Sequence, residues 1–352
     1  MQPRRPAYVR PEPLTVGVDI GGTKVLAGLV DAHGAVRARL QRDTPSKSPR
    51  AVEDTIVDLV RLLSVDHRVA AVGIGAAGFV DASRSSVLFS PHLAWRNEPL
   101  RDALIGRLRR PIVVDNDANA AAWAESRFGA GRDRQQVLCL TLGTGIGGAL
   151  VMDGRVYRGE NGMAGEFGHM QVVPDGHRCP CGNRGCWEQY ASGNALVREA
   201  RELIVADSPV AHNLRDLVDG DPSRLTGPLI TEAAQAGDPT AVELLAEVGR
   251  WLGVGLAGMA AAFDPGIIIV GGGVSAAGDL LLTPTREAFR RTLTGRGFRV
   301  EPEIVGAHLG PDAGFIGAAD LARSAVRRSR RGRRRRERVR RRRTRRRIQL
   351  GA

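Results

Sequence analysis

Two stretches of this chain follow one plan: an apolar run, a glycine turn, then a second apolar run. LTVGVDI (14–20) passes through Gly-Gly-Thr into VLAGLVD (25–31), and QQVLCLTLGTGIGGALVMDG (135–154) repeats the arrangement. Short apolar runs punctuated by glycine predict strands, and the repetition predicts two related lobes facing a cleft. AVRARLQR extends the first pair into a three-stranded antiparallel meander.

The intervening segments fill out an α/β chain. Apolar residues from Ser48 to Leu63 recur at helical spacing, and RVAAVGIGAAG (68–78) reads as a buried strand entering a glycine turn. A helix is predicted over 98–108, and PIVVDND (111–117) reads as a strand running into a helix at ANAAAWAESRFG. From about Glu188 to Phe263 the pattern is helical, with Gly249, Gly253 and Gly258 allowing close backbone packing. GIIIVGGGVS (266–275) is a strand ending in a third glycine turn; a helix over 279–292, a strand within FRVEPEIV and a last helix over 312–325 follow. The chain therefore divides into a flexible lead (1–13), an N-terminal lobe (14–115), a C-terminal lobe (116–325) whose last helix can pack back on the first lobe, and a disordered arginine-rich tail (326–352).

The formal charge of +13 belongs to that tail, where 16 arginines and one glutamate follow Val326. Without it, 35 basic residues face 37 acidic ones, so the folded part has no nucleic-acid character and the tail offers at most nonspecific polyanion binding. Residues 1–13 contain no apolar signal segment. The apolar stretch Trp251 to Val270 is interrupted by Asp264-Pro265, and it reads as a buried helix then a buried strand, not a membrane span. Four cysteines make no disulfide framework. A reduced, soluble, cytoplasmic protein is the expectation.

Three of those cysteines lie in Gly165 to Glu188, GEFGHMQVVPDGHRCPCGNRGCWE, with two histidines and the carboxylates Glu166 and Glu188. Cys179, Cys181 and Cys186 plus one imidazole complete a tetrahedral zinc site whose closed shell leaves no place for substrate, which makes the metal structural. His169 and His177 both lie within reach in sequence. Each glycine turn brings backbone amides close to an anion: Gly21, Gly22 and Thr23 with Lys24, then Thr144 and Gly145, then Gly271, Gly272 and Gly273. None is a P-loop, and GTGIGG is followed by a strand where a dinucleotide site needs a helix. Asp115, Asn116 or Asp117 either caps the following helix or presents a carboxylate for chemistry; spacing leaves both open.

DIGGTK (19–24), NDAN (116–119), LGTGIGGAL (142–150), GEFGH (165–169) and CPCGNRGCWE (179–188) together resemble the ROK family of sugar kinases and repressors, most of all its bacterial zinc-containing glucokinases. The resemblance runs from about Leu14 to Ala325. It implies an actin/hexokinase-like two-lobed fold, each lobe a mixed β-sheet flanked by helices, with the ligand cleft between lobes. It implies ATP-dependent phosphorylation of glucose at the 6-hydroxyl, with Asp117 as general base. Asp19, Gly21, Gly22 and Thr23 would face the nucleotide phosphates and Mg²⁺, Thr144 and Gly145 the other phosphate wall, and Gly271 to Gly273 the adenosine. Gly78, Asn116, Asp117, Glu166, His169 and Glu188 would form the sugar site. His169 would also complete the zinc site with Cys179, Cys181 and Cys186.

The same resemblance leaves neighbouring readings: a kinase for fructose, mannose or N-acetylmannosamine, or a polyphosphate-using glucokinase. A ROK repressor would carry a DNA-binding domain ahead of the body, and only 18 residues precede Asp19. Family members are commonly dimers or tetramers.

Overall fold

The computed structural model describes residues 13–329. The predicted flexible lead, up to residue 12, and the arginine tail from residue 330 lie outside the described residues; residues 326–329, expected to be disordered with that tail, instead continue the last helix. The chain forms two compact units, one made of the residues up to Ala120 with those from Gly314 onward, the other of Ala121–Ala313.

The first unit is built on a sheet of β1 (Leu14–Ile20), β2 (Lys24–Val30), β3 (Val36–Asp43), β4 (Val69–Ala76) and a strand at Ile112–Asn116, labelled β8 below. The order is β3-β2-β1-β4-β8, with β1–β2 and β2–β3 antiparallel and β1–β4 and β4–β8 parallel. Helix α1 (Pro49–Leu62) starts at Ser48, whose hydroxyl accepts the Ala51 N–H, and turns Val52, Ile56, Leu59 and Val60 into the core. Between β4 and helix α2 (Leu100–Leu108) lies a small antiparallel sheet of β5 (Phe79–Val80), β6 (Val87–Phe89) and β7 (Arg96–Glu98). Its strands are too short to show periodicity, and sequence reading misses them.

Glycine inside a strand weakens it unless something must come close, and here something does. A helix over residues 313–329, α10 below, lies against the central strands. A Cβ at Gly17 would sit 1.7 Å from the Phe315 carbonyl oxygen, and one at Gly73 1.8 Å from that of Ala318. A Cβ at Gly28 would meet the Phe315 ring at 2.3 Å. The helix is further tied by Arg323, whose Nη2 donates to Thr15 Oγ1 and the carbonyls of Val30 and Asp31. Gly17→Ala should therefore push the helix backbone off the sheet and cost about 3 kcal/mol, which calorimetric melting would register as a lowered Tm.

The second unit repeats the sheet plan. After helix α3 (Asp117–Phe128) come β9 (Gln136–Leu142), β10 (Ile146–Met152) and β11 (Arg155–Tyr157), joined later by β12 (Ile267–Gly271) and β13 (Glu303–Gly306). The order is β11-β10-β9-β12-β13, with two antiparallel pairings and then two parallel ones, as in the first unit. The two-strand echo in the sequence is thus part of a five-strand repeat. Helices α4 (Glu188–Ala191), α5 (Gly193–Val205), α6 (His212–Asp216), α7 (Gly227–Gln235), α8 (Pro239–Phe263) and α9 (Asp279–Thr292) complete the unit.

Helix α8 has the length and composition to cross a membrane, yet it is the core helix of this unit. Gly249 and Gly253 face the α9 backbone, where a Cβ would lie 2.7 Å from Leu281 O and 2.3 Å from Thr285 O. Gly258, expected to share that role, faces open space; Gly255 has it instead, beneath the buried Trp187 ring. Asp264, in the left-handed region at φ 45°, stops the helix before β12.

Candidate active site and metal centre

Residues Asn116 and Asp117 end β8 and begin α3, so both belong to the first unit and not, as the sequence division had it, to the second. Strand β8 pairs with β4 up to Asn116, which is why the turn goes with the first sheet. The capping question has a clear answer: the Asn116 side-chain oxygen accepts the Asn119 N–H at 3.0 Å. Its Nδ2 donates to Asp117 Oδ1 at 3.0 Å and to the Gly78 carbonyl at 3.2 Å. Gly78 has φ +145°, and a Cβ there would meet the Phe89 carbonyl at 2.3 Å, so only glycine serves.

Asp19, near the end of β1, shares the same sheet edge. Gly75 lies between the two acids, its Cβ direction 3.5 Å from Asp19 Oδ1 and 3.6 Å from the Asp117 Cα. Burial pushes the Asp19 carboxyl up to about 7, helped by the negative charge of Asp117. Burial also raises Asp117, to about 6, against the pull of helix N-terminal amides, His92 and Asn116. No cation pairs with Asp19 among the described residues. Asp19 is thus a buried carboxylate that could hold a divalent cation.

The loop after β1 is a hairpin in which the Gly21 N–H donates to the Lys24 carbonyl; Thr23 and Lys24 are exposed. His92 lies over this loop. A Cβ at Gly22 would be 2.9 Å from the His92 Cβ. No spacing signal marks His92, because the small β5–β7 sheet brings it there. Trp95 is wholly buried and packs in the core.

In the second unit a cavity of about 230 Å³ is lined by Gly143 and Thr144 of the β9–β10 turn, Gly193 and Asn194 of α5, Thr231 of α7, and Gly273. Of the third glycine turn, only Gly273 lines it. Gly271 is buried, and Gly272 at φ 86° is pressed against the Leu142 backbone. Gly145 is a glycine for another reason: a Cβ there would lie 2.3 Å from Glu188 Oε2. The same carboxylate oxygen accepts the Ile146 N–H at 3.4 Å.

The cysteine loop folds back on itself through Cys179 N–H to Asn183 O and Gly182 N–H to Cys179 O. Four ligand atoms, one each from His169, Cys179, Cys181 and Cys186, lie within 4.8 Å of one another. Tetrahedral zinc with Zn–S near 2.3 Å requires sulfur–sulfur separations of roughly 3.8 Å; Cys181 and Cys186 Sγ are 3.6 Å apart, and Cys179 Sγ is 3.7 Å from His169 Nδ1. The donor set and its spacing fit the metal. His177 is not in the cluster: its N–H donates to the Tyr190 hydroxyl and its ring stacks on Tyr190. With Nδ1 on the sulfur side, His169 Nε2 faces Glu166 Oε2 at 4.0 Å, and Glu188 Oε1 lies 3.5 Å from Nδ1. Glu166, His169 and Glu188 thus converge beside the metal cluster.

The sequence profile of the ROK family matches residues 15–325. The chain belongs to the ROK family. This ROK chain is 49% identical over 310 residues to a glucokinase of Streptomyces coelicolor, covering 88% of this chain and 98% of that protein. A glucokinase of Thermotoga maritima is 36% identical over 314 residues, covering 88% and 98%. Among solved structures it resembles a ROK glucokinase from Streptomyces griseus in complex with glucose and AMPPNP, at 51% identity and a TM-score of 0.82, covering 88% of this chain and 99% of that one.

The pH response follows from the Asp117 environment. If Asp117 serves as a base it must be deprotonated, and kcat/KM for the sugar should then fall as pH drops through about 6. An acid limb near pH 4, where an ordinary aspartate titrates, would contradict this placement.

Proposed function

We propose that this chain is a cytoplasmic glucokinase, a hexokinase-type phosphotransferase that moves the γ-phosphoryl group of ATP to the 6-hydroxyl of glucose. The observation that carries the reading is the Asn116–Asp117 turn, a carboxylate held at a helix N-terminus with its basicity raised toward neutrality. The glucokinase relatives, alike over nearly their whole length, supply the substrates.

In this reading Asn116, Glu166, His169 and Glu188 accept or donate hydrogen bonds to the sugar hydroxyls, with Gly78 holding Asn116 in place. Ionised carboxylates suit a ring of hydroxyl donors, since charge-assisted bonds of this kind are short and strong. Asp117 accepts the 6-hydroxyl proton as that oxygen bonds to the γ-phosphorus; the bond from the γ-phosphorus to the bridging oxygen breaks, and ADP leaves with the electron pair. Phosphoryl transfer asks for position and charge neutralisation more than for covalent chemistry. Amides of Gly22 and Thr23 and of Thr144 and Gly145 provide phosphate contacts, with Lys24 at the rim; the Gly21 N–H, expected among them, is committed to the Lys24 carbonyl. Thr144, Gly193, Asn194 and Gly273 line the cavity that takes the adenosine, which narrows the earlier assignment of Gly271 and Gly272. Mg²⁺, when bound, neutralises charge on the phosphates, and Asp19 is the side chain that would hold it. His169 and the three cysteines hold zinc, which stiffens the sugar loop. The working form is a homodimer or homotetramer.

A coupled ADP-release assay on a panel of glucose, mannose, fructose and N-acetylmannosamine, with ATP and polyphosphate compared as donors, tests the substrate assignment. The highest kcat/KM is expected for glucose with ATP; a clear preference for another sugar or for polyphosphate would replace it.

A further inference from the structure

Asp115 is buried to 2% exposure one residue before the Asn116–Asp117 pair, and neither of its oxygens is idle. Oδ1 accepts the Asn116 N–H at 3.1 Å and the Asn119 Nδ2–H at 3.3 Å. Oδ2 is 2.7 Å from Arg84 Nη2. Asn119 in turn donates its N–H to the Asn116 side chain, which holds Asp117 Oδ1. A chain of contacts therefore leads from Arg84 through Asp115 to the carboxylate of Asp117.

Arg84 is itself held. It occupies the left-handed region at φ 59° in the turn between β5 and β6, a conformation that arginine does not choose freely. The turn is closed by Asp81, whose Oδ1 accepts the N–H groups of Ser85 at 2.7 Å and Ser86 at 2.8 Å. The Ser83 hydroxyl donates to the other oxygen of Asp81. The Arg84 carbonyl accepts the Val114 N–H at 3.2 Å, which joins the turn to β8 just ahead of Asp115. An exposed loop would not need this much hydrogen bonding to display a solvated arginine.

Stability alone does not account for the pair. A buried ion pair gains little over well-packed apolar side chains, because the Coulomb attraction is offset by desolvation of both charges. What it does offer is a close charge contact at 2.7 Å between two largely buried groups, and here the contact ends on the turn that carries the base. We propose that Arg84, acting through Asp115, is a positioning residue for phosphoryl transfer, fixing the Asn116–Asp117 turn in the geometry that lets Asp117 take the sugar proton. This rests on Asp117 being the base.

The experiment compares Arg84→Met, Arg84→Lys and the double variant Arg84→Met/Asp115→Asn in the full-length enzyme, measuring kcat, both KM values and Tm. Misplacing a catalytic group by about an ångström costs up to about 100-fold, so Arg84→Met should lower kcat by roughly 10- to 100-fold. The KM for ATP should be unchanged, and the KM for glucose should rise less than kcat falls. Arg84→Lys, keeping the charge, should recover part of kcat. The double variant removes the stranded buried carboxylate and should regain Tm without regaining kcat. A kcat per folded molecule that stays at the wild-type value in Arg84→Met, or that recovers together with Tm in the double variant, would reduce the pair to a structural role and overturn the proposal. Should Arg84→Met not fold, the Lys and double variants carry the same comparison. Asp117→Asn, assayed alongside, separates the two ideas. If it retains activity, the base assignment is wrong; if it is inactive while Arg84→Met turns over normally, only the positioning role is lost.

Discussion

Asp117→Asn should lower kcat by roughly 100- to 10,000-fold, the range over which a positioned general base contributes, while the KM for ATP stays within a few-fold. The same substitution should raise Tm. Burial lifts the Asp117 carboxyl to about 6 from an ordinary value of 3.8, so the folded state favours the protonated form more than the unfolded chain does. Its stability contribution is complete below pH 4 and is lost as pH rises through 6. At neutral pH the fold therefore carries an ionised carboxylate at a cost, and Asn relieves it. Asp19 acts in the same direction up to about pH 7. The sign of the Tm change separates a catalytic carboxylate from a structural one: a residue holding α3 in place would lower both kcat and Tm when changed. Since Asn116 caps the helix through the Asn119 N–H, that second outcome is the expected behaviour of Asn116→Ala, for which a lost cap costs about 1 kcal/mol.

Removing the metal should be the other large effect. Full-length protein purified under reducing conditions should contain one zinc per chain by elemental analysis, and Cys181→Ser should abolish it. Phe167 and Trp187 anchor the two ends of the Gly165 to Glu188 loop in the core; between them Cys181 is exposed, and Cys179 and Cys186 are buried. Thiolate ligands supply the closure that such a loop lacks, so metal loss costs folding energy locally. Because Glu166, His169 and Glu188 are set by this loop, the KM for glucose should rise at least tenfold on chelation, with the Tm lowered and the KM for ATP less affected. His169→Ala should lose the metal and His177→Ala should keep it, as the positions of Nδ1 and of the Tyr190 contact require. Retention of zinc in His169→Ala, or its absence from the wild-type protein, would remove the metal centre from the description.

Much of the molecule was legible in the chain because its signals are local. The glycine turns, the alternation of strands and helices and the Cys-x-Cys-x4-Cys loop all act over a few residues. What escaped has a common cause. The strand-interior glycines at positions 17, 28 and 73 make sense only once residues 313–329, from the far end of the chain, lie against them. His92 could not be told from the other histidines until the short β5–β7 sheet set it over Gly22. No motif or spacing in the sequence marks Arg84.

By itself the sequence determined the family, the two-lobed α/β plan and the inventory of chemical groups, since these follow from residue type and near-neighbour spacing. Only the tertiary structure decided which histidine lies with the thiols, which of Asp115, Asn116 and Asp117 accepts the Asn119 N–H as a helix cap, and which glycine of the third turn opens on a cavity. Those outcomes depend on direction and on burial. A buried carboxylate, a ring nitrogen and a backbone amide acquire their roles from what is packed beside them, and residues distant in sequence supply that packing.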